Sequence, residues 1–222
     1  MNNQPLPTVE DLKRYSVSKP NEIEVTRQSL YDFTTYTAAG QTSLTFFQIP
    51  VGQAGKTKAD TNLESAGQLP AGKNFLITSI EIMLFPGVLP STETEDVALT
   101  ASEFINDVYT FQKSGFLDLF ILSKSYLTEA PLGRFPPKTS LNVQAAAAAA
   151  SEAATVGTNN LLVDHAYASL SGRPYFVDPN ITLISNQNFN VTMNWPTVVA
   201  LPSGQNARVG IVMDGLLYRW AQ

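Results

Sequence analysis

Polar and apolar residues alternate strictly from Asn188 to Trp195, Asn-Phe-Asn-Val-Thr-Met-Asn-Trp. Successive side chains of a strand point to opposite faces. Phe189, Val191, Met193 and Trp195 therefore share a dry face, while Asn190, Thr192 and Asn194 share a wet one. Arg208 to Tyr218 supplies another strand near the end of the chain. Leu30 to Thr37 and Thr42 to Ile49 are β-rich runs separated by Ala38-Ala39-Gly40, which predicts a strand pair with a short turn. Asn74 to Phe85 is apolar on both faces, as expected of a central strand covered on both sides, and Pro86-Gly87 closes it. Phe116 to Leu127, Tyr175 to Val177 and Ile181 to Ser185 complete the strands, with Asn186-Gln187 as a tight turn.

Two segments carry helical signals. Thr100 and Glu103 have capping-box spacing, Phe104, Ile105, Val108 and Phe111 fall on one helical stripe, and Gly115 can end the helix. Ala145 to Ala150 lies within Ser140 to Thr155, and alanine has the best helix propensity, so a short helical insert is predicted there. Residues 50–73 are rich in Gly, Pro, Lys and Asn and predict a long exposed loop. Residues 129–137 carry Pro131, Pro136 and Pro137, which cannot donate to a ladder, and predict a stiff irregular loop.

About eight strands without alternating helices predict an all-β fold. The expected architecture is an antiparallel β-sandwich, a single jelly roll of two four-stranded sheets. It carries a short helix near 100–113 and an Ala-rich helical insert near 140–155. Residues 1–28, with Pro5, Pro7, Pro20 and little periodicity, read as an extended arm, and 29–222 as one domain.

Composition narrows the function. The 222 residues are 44% hydrophobic but only 15% charged, against about 25% in an ordinary globular protein. Few charges favour a chain that buries surface against other copies, although Asn- and Thr-rich β-proteins share the trait. The net charge of -5 argues against a basic nucleic-acid surface. The arm itself is balanced, with Lys13, Arg14, Lys19 and Arg27 against Glu10, Asp11, Glu22 and Glu24. There is no cysteine, hence no disulfide or thiolate site. Neither a secretory leader nor an 18-residue apolar run is expected.

Candidate chemistry is sparse. Gly52-Gln-Ala-Gly55-Lys56-Thr57 approaches a phosphate loop, but Pro50 stands where glycine is required and no helix pattern follows. His165 is the only histidine, and Asp164 beside it does not complete a metal site or a triad. Glu93, Glu95 and Asp96 read as a solvated loop or as charge near a helix N-terminus, and Asp118 as a polar residue on an exposed strand face. Trp195 reads as core. Trp220 with Tyr218 could stack on a neighbour, cover a sheet edge or form a sugar platform. Asn180-Ile-Thr182 and Asn190-Val-Thr192 match the glycosylation acceptor pattern by chance. No catalytic, cofactor-binding or metal-binding residue is assigned, no cofactor is expected, and the chain is not expected to be an enzyme.

Three segments together resemble jelly-roll capsid proteins of icosahedral, notably tailless, bacterial viruses. They are Phe75 to Gly87, the Pro-Leu-Gly-Arg-Phe-Pro core of residues 131–136, and Arg208 to Gln222 with its Gly-x-x-Met-Asp-Gly-x-x-Tyr-Arg strand. The resemblance implies a structural virion protein, most simply the major capsid subunit. Its expected partners are identical subunits in trimers, pentamers or hexamers, other virion proteins, and, on the inner side of the shell, a membrane or further proteins. It implies location in the virion after synthesis in the host cytoplasm. Many such proteins carry two jelly rolls, whereas this length fits one. The neutral arm differs from the basic arms that bind genomes. The alternative is a receptor- or carbohydrate-binding jelly roll of a phage fibre or spike. A cupin-type enzyme would need more histidines.

Overall fold

The computed structural model describes residues 23–88, 99–135, 139–147, 162–170 and 174–220; for 101, 139–147, 162–170 and 220 it describes the backbone alone. The strands are β1 (Ile23–Tyr36), β2 (Ser43–Phe46), β3 (Lys73–Pro86), β4 (Phe116–Ile121), β5 (Lys124–Pro131), β6 (Thr139–Ala147), β7 (Leu162–Leu170), β8 (Tyr175–Leu183), β9 (Phe189–Asn194) and β10 (Ala207–Trp220). Helix α1 (Ala101–Gln112) joins β3 to β4.

Two four-stranded sheets, ordered β1-β10-β3-β8 and β2-β9-β4-β5, form the sandwich, and β6-β7 is a separate ribbon. Every pairing is antiparallel. Set the ribbon aside and the remaining eight strands follow the jelly-roll order, consecutive strands repeatedly crossing between sheets. The inward residues of β3 (Phe75, Ile77, Ile80, Ile82, Leu84) and β10 (Val209, Ile211, Met213, Leu217) meet Leu117, Leu119, Phe189, Val191 and Met193 of the other sheet in one buried cluster. Burial of such side chains at about 25 cal/mol per Å² holds the two layers together.

The predicted sandwich and the helix are present, and several details differ. The runs around Ala38-Gly40 do not form a hairpin: β1 belongs to the first sheet and β2 to the second. The turn is fixed by Gly40 at φ 87°, where a Cβ would stand 2.5 Å from the Val199 carbonyl carbon. Local alternation cannot distinguish a hairpin from a sheet-to-sheet crossing. Phe116 to Leu127 is not one strand but the β4–β5 hairpin, turning at Leu122, which takes φ 56°. Ile23–Gln28, assigned to the arm, pair in β1 with Trp220 to Gly215; their side chains are half-buried or exposed, so no dry face marks them in the sequence. Residues 1–22 lie outside the described residues.

The Ala-rich segment is the main correction. Thr139 to Ala147 is β6, each residue facing one of Leu170 to Leu162 in β7. The ladder satisfies the backbone across the ribbon, and this tertiary pairing overrides a propensity worth only tenths of a kcal/mol per residue. Residues 148–155 lie outside the described residues.

Helix α1 begins as predicted. The Glu103 amide donates to Thr100 Oγ1 at 3.3 Å, and the Thr100 amide donates to Glu103 Oε2 at 2.9 Å. The Thr100 amide most, and then the Thr100 hydroxyl, which donates to the same Oε2 at 2.8 Å, hold the Glu103 carboxyl below the ordinary glutamate value of 4.5. A depressed carboxylate pKa adds stability that is present above the unfolded value and is lost as pH falls through the folded one. Thr100→Ala is expected to cost about 1 kcal/mol at neutral pH, and the difference from wild type should shrink below pH 4.5. Urea melts at pH 7 and pH 3.5 check this. The inward stripe is Phe104, Asp107, Val108 and Phe111, with Ile105 exposed. Asp107 occupies the expected Ile105 place because it accepts the Ser203 amide at 3.0 Å and the Ser203 hydroxyl at 2.6 Å. The helix ends at its C-cap Lys113 rather than at Gly115.

Candidate functional site

The loops gather at the two ends of the sandwich. At one end Tyr36, Phe111 and Trp195 form a buried triangle of edge-on rings with centroids 5.1–5.2 Å apart. Trp195 Nε1 donates to the Phe111 carbonyl at 3.0 Å, and the Tyr36 hydroxyl donates to the Val199 carbonyl at 2.5 Å. These rings fasten α1 and residues 195–206 to the end of β1. Above them, Tyr109 is 67% exposed, with Val198 and Ile105 also in water.

At the opposite end the β4–β5 turn meets the β8–β9 loop. The Leu122 amide donates to the Asn188 carbonyl at 2.7 Å, and the Asn186 amide to the Leu69 carbonyl at 3.0 Å. This scaffold holds Leu122 61% exposed, with Ile184 and Ile49 also exposed. Along the free edges Phe176 projects from β8, and Tyr126 from β5 with Lys124 Nζ 4.9 Å from its ring centroid. Every large exposed apolar side chain among the described residues thus lies at an end or on or beside an edge strand.

The edges themselves are guarded. β5 carries Lys124 and Glu129, and β8 carries Asp178-Pro179, charges and a proline that discourage indiscriminate pairing. Residues 57–62 run along β1: the Phe33 amide donates to the Asp60 carbonyl at 2.7 Å, and Asn62 Nδ2 to the Ser29 carbonyl at 2.7 Å. Arg208 locks this segment through Asp60 Oδ1 at 3.0 Å, and its guanidinium carbon lies 4.3 Å from the Phe33 ring centroid. Lys56 Nζ reaches Asp32 Oδ1 at 2.5 Å. Burial pushes the Asp32 carboxyl up, against the opposing pull of Lys56.

The outward face of the first sheet is also unusual. Leu76, Glu81, Val212 and Tyr218 are buried although they point away from the core. This matches the two-sided apolar pattern read from Asn74 to Phe85. Beside them Tyr31, Phe33 and Phe85 form a row of half-buried rings with centroids 6.2 and 6.4 Å apart.

The structure assigns other parts to the sequence candidates. Lys56 faces Asp32, and Gly52–Lys56 is a closed turn in which the Gly52 amide donates to the Lys56 carbonyl. Asp118 is buried, accepting the Glu129 amide at 2.6 Å and Asn194 Nδ2 at 3.0 Å, so it pins a bulge of β5. Trp195 is core. Trp220 pairs with Ile23 through its backbone, and Tyr218 is buried on the outward face. Asn190 lies within β9, and Asn180 is exposed on β8. His165 lies on β7 opposite Gln144, and Asp164 opposite Ala145. Glu93, Glu95 and Asp96 lie outside the described residues. No group of three acidic or histidine side chains suited to a metal ion occurs among the described residues.

The Pro131-to-Pro136 motif now has a local role: Leu132 and Phe135 are buried, and the Phe135 ring lies 4.8 Å from that of Tyr175. The exposed apolar residues that sequence reading missed are Tyr109, Leu122, Tyr126 and Phe176. Isolated apolar residues in strand and helix patterns read as core until the facing layer is known. Comparison with family models, curated proteins and solved structures finds no match.

Proposed function

We propose that this chain is a structural virion protein, the major shell subunit of an icosahedral bacterial virus, and that it works by self-assembly. Residue Leu122 carries the reading. A leucine at φ 56° is strained, since only Gly, Asn and Asp take that conformation readily. Its side chain is exposed, so no core packing offsets the cost. An apolar side chain kept in water at that cost has a partner to meet. Tyr109, Val198, Tyr126 and Phe176 add apolar anchors at the ends and edges, where copies related by a rotation axis would touch. Many weak contacts acting together close the shell. The low charge content and the resemblance of the Arg208-to-Gln222 strand support the same reading. The virion is then the protein's location, and its partners are identical subunits and other virion proteins.

Leu122→Asn relieves the backbone while removing the anchor. Its expected result is unchanged or higher melting temperature with self-association weaker by about 30-fold, the effect of losing about 2 kcal/mol at a contact. Light scattering and negative-stain microscopy of both proteins check this. Wild type should give rings or shells; an unchanged particle yield in the variant would refute the anchor role.

The second reading, a carbohydrate-binding module of a fibre or spike, rests on the row of Tyr31, Phe33 and Phe85. It is favoured if the protein stays monomeric and binds glycans, with binding lost in Phe33→Ala.

A further inference from the structure

The Lys56–Asp32 pair differs from the other ion pairs of the described residues. Lys73–Glu64 is open to water, with side chains 31% and 55% exposed, and the Asp60 and Glu24 pairs use arginine. Lys56 is 12% exposed and Asp32 is fully buried. Asp32 lies on β1 opposite Ile211 and points inward, so its carboxyl sits beneath the loop that carries Lys56. Nζ stands 2.5 Å from Oδ1, and the Phe47 amide donates to Oδ2 at 2.6 Å. The Thr61 hydroxyl also faces the carboxyl.

A buried ion pair is costly to keep charged, because both groups give up their hydration. Its neutral form, an amine against a carboxylic acid, is the pair that condenses. Burial pushes the Asp32 carboxyl toward that neutral form. Holding the groups in contact replaces an encounter in water with a reaction between fixed neighbours. The Phe47 amide points at the oxygen on which negative charge develops when the carboxyl carbon is attacked.

We propose that Lys56 and Asp32 form an intramolecular amide bond, a self-processing modification that closes residues 32–56 into a ring. The ammonium first passes a proton to Oδ1 along the existing hydrogen bond. The freed nitrogen lone pair attacks Cγ, forming the N–C bond, and the carbonyl electron pair moves onto Oδ2 under the Phe47 amide. Oδ1 leaves as hydroxide, taking one proton from the nitrogen to depart as water, while the electron pair on Oδ2 restores the carbonyl. One carboxylate and one ammonium give one amide and one water; nothing is oxidised or reduced. The product permanently ties the 47–56 turn to β1, beside the segment that covers the edge of that strand. The bond does not depend on the shell reading, since it lies within one chain.

Intact-mass spectrometry of the purified, denatured full chain tests the proposal, with peptide mapping to place any change. The expected mass is lower than that of the linear chain by one water, about 18 Da, carried by a branched peptide joining Lys56 to Asp32. Lys56→Arg keeps a cation but cannot condense, and should show the linear mass. A wild-type protein that is folded by circular dichroism yet has the full linear mass overturns the proposal. So does a loss of water that maps elsewhere, for instance to dehydration at Asp214-Gly215.

Discussion

Gly215→Ala is expected to destabilise the protein by about 3 kcal/mol or more and to lower its melting temperature by roughly 10 °C. Gly215 sits in β10 at the register shift opposite β3. A Cβ there would overlap the Leu76 carbonyl oxygen, 2.9 Å from its carbon and 3.0 Å from Phe75 Cζ. Leu76 is backbone, so it cannot swing aside as a side-chain tip would. Relief requires β10 to part from β3, the two central strands of the first sheet. Valine at 215 should be worse still and leave the protein insoluble. Gly133→Ala is the internal control, because the space around Gly133 is open and its φ is not positive. It should change stability by less than about 0.5 kcal/mol. Thermal melts of the three variants decide the matter. A Gly215→Ala protein as stable as wild type would show that the β10–β3 register is wrong.

The second large effect lies at the aromatic triangle. Trp195→Ala should cost about 3–5 kcal/mol, from the cavity left between Tyr36 and Phe111. Trp195→Phe should cost about 1–3 kcal/mol, because the Phe111 carbonyl loses its indole donor while most of the ring contact survives. The graded pair separates packing from hydrogen bonding. The loss should also loosen the end of the sandwich, since α1 and residues 195–206 are joined there. Urea titration of both variants gives the costs, and amide exchange at Val199 and Leu201 reports the loosening. Equal stability of the two variants would contradict the packing role of the ring, and a Trp195→Phe protein as stable as wild type would contradict the assigned hydrogen bond.

The sequence carried the sandwich because its strands are long enough to alternate. Phe189, Val191, Met193 and Trp195 are all buried, and the intervening Asn190, Thr192 and Asn194 are half-exposed. The capping box at Thr100 was legible because both partners lie within four residues. Features set by distant partners were not. Ala145–Ala147 became strand through pairing with Leu162–Asp164. Ile105 and Asp107 exchanged faces because Ser203, far along the chain, needed an acceptor. The β4–β5 turn at Leu122 carries no Gly, Asn or Asp to mark it.

The candidate surface was less legible than the fold. The same apolar letter serves in Leu119, which is buried, and in Leu122, which stands in water three residues later. Lys56 and Asp32, 24 residues apart, show no relation until the 47–56 turn folds back over β1. The Gly210 and Gly215 positions of the C-terminal motif do have a physical reading in the fold. The Phe33 ring lies where a Gly210 Cβ would stand, and the Leu76 carbonyl excludes one at Gly215. Those glycines let the strands and rings of the first sheet close up.

Under the proposed self-assembly, apolar anchors at the ends and edges grip identical neighbours. Sedimentation velocity of the purified full chain over a concentration series tests it most directly. It predicts discrete closed species of several subunits that grow at the expense of monomer as concentration rises. A single monomeric boundary at every concentration would contradict it.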